Sequence, residues 1–141
     1  MGRSADLTVA DVSLIPIPQE NVSQVWHLGA EFIETGLKQG EFTADILKAE
    51  CESGKAQLWF AWADHLEAAA VTQLMATPRG LKCVITSLGG KDSFRWLGYL
   101  DELELYAKTQ GCNGMRIYGR KGWARKLRDY RITRLILDKD L

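Results

Sequence analysis

Hydrophobic positions along the chain repeat first with one period and then with another, and each switch marks a new element. The stretch "LTVADVSLIPIP" has the texture of extended backbone, and Pro16 and Pro18 oppose helix, so a first strand is expected between Val9 and Ile17. Val22, Val25, Trp26, Gly29, Phe32, Ile33 and Leu37 then recur at helical spacing, with Glu31, Glu34 and Lys38 between them. That pattern predicts an amphipathic helix from about Glu20 to Lys38, stopped by Gly40. Thr43 is placed to cap a shorter helix through Ile46, Leu47 and Cys51, which Gly54 ends as a C-terminal glycine.

The texture changes at Ala56, where "AQLWFAWAD" reads as a buried aromatic strand closing in a turn at Asp64-His65. "LEAAAVTQLMATP" is rich in helix formers, yet its place between two strand-like runs and the break at Pro78-Arg79-Gly80 favour a second strand, with "GLKCVITSLGG" as a third. Asp92 or Ser93 is positioned to cap a long helix whose Phe94, Leu97, Leu100, Leu103 and Ala107 trace one face, and Gly111 ends it. "MRIY" is then a short strand, "GRKGWARKLRDY" a further helical turn or two, and "TRLILDKDL" a closing strand. The crossover from Cys83–Ser87 through the long helix to Met115–Tyr118 makes two parallel neighbours in an otherwise antiparallel sheet. The expected architecture is a single α+β domain over residues 1–141, a mixed, mostly antiparallel sheet flanked by helices.

Composition narrows the class without choosing the chemistry. A chain of 141 residues that is 46% hydrophobic can bury one sizeable core, and 26% charged residues without low-complexity tracts is the balance of a globular domain. No apolar run approaches the ~20 residues of a membrane-spanning helix, and "MGRSADLTVADVS" lacks the apolar centre of a signal peptide, so the cytoplasm is the expected compartment and no membrane partner is expected. Cys51, Cys83 and Cys112 are widely spaced, with no CxxC and no histidine pair, and are expected to pack as reduced small hydrophobes. Cys112 has no neighbouring base to activate it, and His27 and His65 stand alone, which leaves no metal site in view.

Net charge is zero but unevenly spread: eleven of eighteen acids precede residue 70, and eight of eighteen bases lie between Arg116 and Arg134. Within "IYGRKGWARKLRDYR", Trp123 and Leu127 at helical spacing suit a core-facing stripe, and most of the bases suit a solvated face. Neutral net charge and the absence of a nucleic-acid-binding motif argue against DNA or RNA as partner. Trp59, Phe60 and Trp62 read as core plus an interface, where an exposed indole would serve a homodimer contact or an acceptor pocket.

The order of elements, together with "GGKDSFRWLGYLDELELYAKTQGCNGMRIYGRKGWARKLRDYRI", resembles the GNAT superfamily of acyl-CoA-dependent N-acyltransferases. In particular it is similar to small phage- and prophage-encoded GNAT-like proteins, in which a helix, a "GC" turn, a strand and a "GR.GW...L" segment recur. The likeness spans nearly the whole chain as topology and is concentrated, as residues, in Leu88 to Arg131. It implies that the strands at Leu81–Leu88 and Met115–Tyr118 begin paired and then splay, with the pantetheine arm of acetyl-CoA or another acyl-CoA in the wedge. Backbone groups at Val84, Ile85, Thr86 and on to Leu88 would pair with the pantetheine amides. Gly89, Gly90, Lys91 and Ser93, in a loop at the N-terminus of the long helix, would receive the pyrophosphate, since such a turn offers unpaired N–H groups and a favourable dipole. Arg120, Lys121 or Arg125 would reach the adenosine phosphate.

The implied activity is acyl transfer to a primary amine of a small molecule or protein by direct attack on the thioester. The family's pyrophosphate signature, a Gln or Arg followed by Gly-x-Gly or Gly-x-Ala, is absent from "SLGGKDSFRW". Setting Asp129-Tyr130 in place of the family's Gly-Phe pair puts the usual tyrosine acid near Arg125. Tyr118 and Tyr130 remain as acids by proximity, and Glu67 or Asp64 as bases. A catalytically silent GNAT-fold binding or structural protein, and more remotely a nucleic-acid-binding module, stay open as alternatives.

Overall fold

A computed structural model describes residues 13–37, 42–91, 98–118, 127–133 and 137–141. Strand β1 (Ser13–Ile17) lies at one edge of a five-stranded sheet of order β1-β2-β3-β4-β5. β2 (Gln57–Trp62), β3 (Leu66–Thr77) and β4 (Gly80–Gly90) follow antiparallel, and β5 (Gly114–Ile117) joins β4 in parallel. An edge strand is where Pro16, which has no N–H for a ladder, is tolerated.

A 3-10 turn at Gln19–Asn21 leads into helix α1 (Val22–Gly36), which buries Val22, Trp26, Gly29 and Ile33. Helix α2 (Ala44–Glu52) starts as its sequence demands, with Thr43 Oγ1 accepting from the Ile46 N–H at 3.2 Å, and ends before Gly54 at φ +82°. Helix α3 (Tyr99–Thr109) connects β4 to β5. Two cores result, one on each face of the sheet. Trp26, Ile33, Leu47 and Cys51 of α1 and α2 pack on Leu58, Phe60, Ala69 and Val71. On the opposite face Tyr99, Leu100 and Leu103 of α3 pack on Trp59, Ala61, Ala68, Ala70, Ile85 and Leu88. Each fully buried aliphatic side chain there stabilises by ~1.5–3 kcal/mol. The aromatic run of β2 is divided: Trp59 and Phe60 are core, whereas Trp62 is 40% exposed. The Trp59 indole N–H donates to Thr72 Oγ1 at 2.9 Å, and its ring meets Tyr106 edge-on.

Two bulges interrupt the alternation of faces. In β4 the partners of Val71 and Thr72 are Ser87 and Ile85, so Thr86 is an extra residue, and its hydroxyl donates to the Val71 carbonyl at 3.2 Å. Ile85 and Leu88 consequently face α3, while Ser87 faces α1, where its hydroxyl donates to the Ile33 carbonyl at 2.8 Å. In β3 the partners of Ala61 and Trp62 are Ala68 and Leu66, which makes Glu67 the extra residue.

Some expectations need correction. β4 runs through Gly90, with Gly89 and Gly90 paired to Ala69 and Ala68, so these two glycines are strand and not the start of a loop. The reason lies in packing: a Cβ on Gly89 would collide with the Phe32 carbonyl oxygen, and one on Gly36 would lie 2.8 Å from the Leu88 nitrogen. Glycine at both positions lets the end of α1 touch the β4 backbone directly. The closing strand expected in "TRLILDKDL" is not present in its described part, residues 137–141, where Leu137 stands 90% exposed. Residues 137–141 are exposed throughout, so their alternation has no buried face to hold it against a sheet. The helical turns expected in 119–126 and the cap at Asp92 or Ser93 lie outside the described residues.

Cys51 and Cys83 are buried, as expected of small hydrophobes, whereas Cys112 is half-buried. Burial first, and Glu50 and Glu52 second, push the Cys51 thiol up to about 12; burial first, and Cys112 second, push Cys83 up to about 11. Both are raised above the unfolded value, so this contribution to stability is whole below about pH 9 and is lost as pH rises through 11 to 12. Ellman titration of the native protein at pH 8 is expected to label at most one thiol, Cys112, and all three after unfolding; rapid labelling of two or more native thiols would contradict this packing.

Candidate active site at the parting of two parallel strands

The parallel ladder runs Lys82 with Gly114, Cys83 with Met115, Val84 with Arg116 and Ile85 with Ile117, and the Tyr118 N–H adds a last bond to the Ile85 carbonyl at 3.4 Å. β5 ends there. β4 continues for five residues, ~17 Å of strand, held by β3 on one side and without a strand partner on the other among the described residues. The bulge at Thr86 falls one residue beyond Ile85, the last position of β4 paired to β5. Thr86 to Gly90 thus form one wall of a candidate wedge, a polar backbone edge kept rigid by Ser87 on Ile33, by Gly36 against Leu88 and by Gly89 against Phe32.

Of the residues picked out for cofactor binding, Val84 and Ile85 lie in the ladder with β5, which engages them there, while Thr86, Leu88, Gly89 and Gly90 line the unpartnered edge. Lys91 is exposed at the end of β4, and its N–H donates to the Glu67 carbonyl at 3.2 Å. Ser93, Arg120 and Arg125 lie outside the described residues.

The three acid–base candidates are not brought together. Tyr118 stands at the apex of the wedge, 43% exposed, with its ring 5.8 Å from Phe42 on the α1/α2 side of the sheet. Tyr130 is on the α3 side, where its hydroxyl donates to Glu104 Oε2 at 2.7 Å. Burial and that carboxylate hold the Tyr130 phenol well above the usual tyrosine range, which weakens it as a proton donor and marks it as a tie between the C-terminal segment and α3. Glu67 is buried in the β3 bulge beside Gly90 and Lys91, at the far end of the wedge from Tyr118, and Asp64 is exposed in the hairpin turn. Four features of the site escape a reading of periodicity: the Thr86 bulge, the Gly36 contact, the Ser87 bond and Phe42. A β-branched run ending in "SLGG" is the signal that came nearest to them.

No family model matches the sequence, and no curated protein matches it. Solved structures do. A predicted acetyltransferase from Clostridium acetobutylicum, solved with acetyl-CoA, superposes with a TM-score of 0.65 at 14% identity, covering 92% of this chain and 96% of that one. An aminoglycoside acetyltransferase from an uncultured soil metagenomic sample, in complex with sisomicin, gives 0.66 at 9% identity, with coverage of 92% and 96%. A ribosomal-protein-alanine N-acetyltransferase from Brucella melitensis gives 0.62 at 12% identity, with coverage of 92% and 100%. The five-stranded mixed sheet with its parallel β4–β5 pair and flanking helices is the GNAT fold.

Proposed function

We propose that the chain is an acyl-CoA-dependent N-acyltransferase that moves an acetyl or other acyl group to a primary amine. The observation that carries this reading is the edge of β4 from Thr86 to Gly90, which offers N–H and C=O groups at strand spacing to a ligand with amides of its own, as pantetheine has. Leu88, Gly89 and Gly90 would pair with the arm, with Thr86 at the thioester end, and Lys91 with Ser93, Arg120 and Arg125 would meet the phosphates. A neutral amine attacks the thioester carbon, the C–N bond forms, the C–S bond breaks, and the thiolate takes up a proton while the nitrogen loses one to water. Tyr118, at the apex, is the side chain assigned to protonate the thiolate. Glu67, near the phosphate end, has no part in this step, and Tyr130 serves to anchor the chain.

A second reading is favoured by Gly89, whose absent side chain is accounted for by α1 alone. In that reading the chain is a GNAT-fold binding module of phage or prophage type without turnover. Thermal unfolding separates the two. Acetyl-CoA at one hundred times its dissociation constant is expected to stabilise the fold by about 2.7 kcal/mol, a shift of several degrees in Tm. An unchanged Tm at millimolar acetyl-CoA would remove the acyltransferase reading.

A further inference from the structure

On the α1/α2 side of the sheet, the face of β5 that leads away from the wedge carries an arrangement that CoA binding does not use. Tyr118, Arg116 and Gly114 succeed one another at every second position, and Lys82, the cross-strand partner of Gly114, points the same way as its other partner Met75. Gly114 has no side chain, and the space that a Cβ would take is bordered by Lys82 Nζ at 2.7 Å. The Arg116 guanidinium leans over β4 to Met75 Sδ at 3.7 Å. Two half-buried cations thus stand as diagonal neighbours, and neither forms an ion pair among the described residues. The carboxylate that α2 brings to this face, Glu50, is engaged by Gln73 Nε2 at 2.8 Å. Like charges held side by side on a sheet are unfavourable until an anion lies between them. On this side α1 lies over β3 and β4, and among the described residues no helix of this side packs extensively on β5.

We infer that Arg116 and Lys82 bind the carboxylate of the acceptor, and that the acceptor is an amine whose anionic group sits roughly 7 to 13 Å from its nitrogen, two to four strand residues from Tyr118. The inference rests on the acyltransferase reading and adds the substrate class: an extended ω-amino acid or a lysine-like side chain with a carboxylate, not a polycationic amine and not an α-amino group beside its own carboxylate. Arg116 supplies the two-pronged contact, and Lys82 a second point charge over the gap at Gly114.

The test uses the full chain and three amines of differing charge placement: 6-aminohexanoate, hexylamine and β-alanine. Calorimetric titration in the presence of CoA is expected to show 6-aminohexanoate binding at least tenfold tighter than either of the others. In the double variant Arg116→Gln, Lys82→Gln that preference should vanish while stabilisation by acetyl-CoA stays as in the parent. Equal binding of all three amines, no binding of 6-aminohexanoate, or a preference that survives in the double variant would overturn the inference. The acetyl-CoA shift reports separately on the acyltransferase reading, so the two can fail independently.

Discussion

Replacing Tyr118 with phenylalanine is expected to lower kcat for acyl transfer by roughly 10²-fold while leaving the dissociation constant of acetyl-CoA unchanged. The substitution removes one hydroxyl and keeps the ring, so the contact with Phe42 at 5.8 Å and the main-chain bond from Tyr118 to Ile85 at 3.4 Å both survive. What disappears is the phenol at the apex of the wedge, where a departing thiolate would collect its proton. The companion variant Tyr130→Phe tests the assignment from the other side. It deletes the hydrogen bond to Glu104 and is expected to lower Tm with little change in kcat, because that phenol is already committed to a carboxylate on the α3 side. If Tyr118→Phe retains full kcat and Tyr130→Phe abolishes it, the roles of the two tyrosines are exchanged and the chemistry moves to the opposite face of the sheet.

The second large effect is structural. Gly36→Ala would set a methyl group 2.5 Å from Ser87 Oγ, 2.8 Å from the Leu88 nitrogen and 2.9 Å from the Leu88 oxygen. The last two are main-chain atoms in a strand that β3 and the Ser87–Ile33 bond hold in place, so neither side yields without loss. The expected cost is about 3 kcal/mol, at the upper end for overpacking. In a domain of this size that lowers Tm by about 10 °C. Acetyl-CoA stabilisation should weaken in the same variant, since the displaced segment is the proposed binding edge. Ser23→Ala on the exposed side of α1 is the control, expected to stay within about 0.5 kcal/mol. A Gly36→Ala protein that melts with the parent would show that helix and strand do not touch as described.

Much of this fold is written in local signals. Thr43 and Gly54 bound α2 because a hydroxyl acceptor and a left-handed glycine act within one turn of chain. The continuous apolar run of β2, buried on both faces, and the crossover from β4 to β5 are likewise readable, since each leaves its mark within a short stretch of sequence. The site is less legible because it depends on contacts distant in sequence. Gly89 follows a strand and looks like a turn residue; only its approach to Phe32, more than fifty residues earlier, explains it. The partition of the tyrosines between two faces follows from β5 and α3 meeting different partners, information that proximity along the chain does not carry. The basic character of residues 116–134 is plain from composition, yet the diagonal neighbour of Arg116 on the sheet is Lys82, a base outside that segment and brought in by strand register.

The extra residue at Thr86 also acts as a phase slip in β4. Upstream of it odd-numbered residues such as Cys83 and Ile85 look toward α3; downstream the odd positions Ser87 and Gly89 look toward α1, and the even position Leu88 takes over the α3 side. The side chains that meet α3 thus switch from odd to even positions at one residue, and those that meet α1 switch the other way. A substitution judged by the parity of the first half is fitted to the wrong core in the second, and no single alternating assignment of residues to faces describes both.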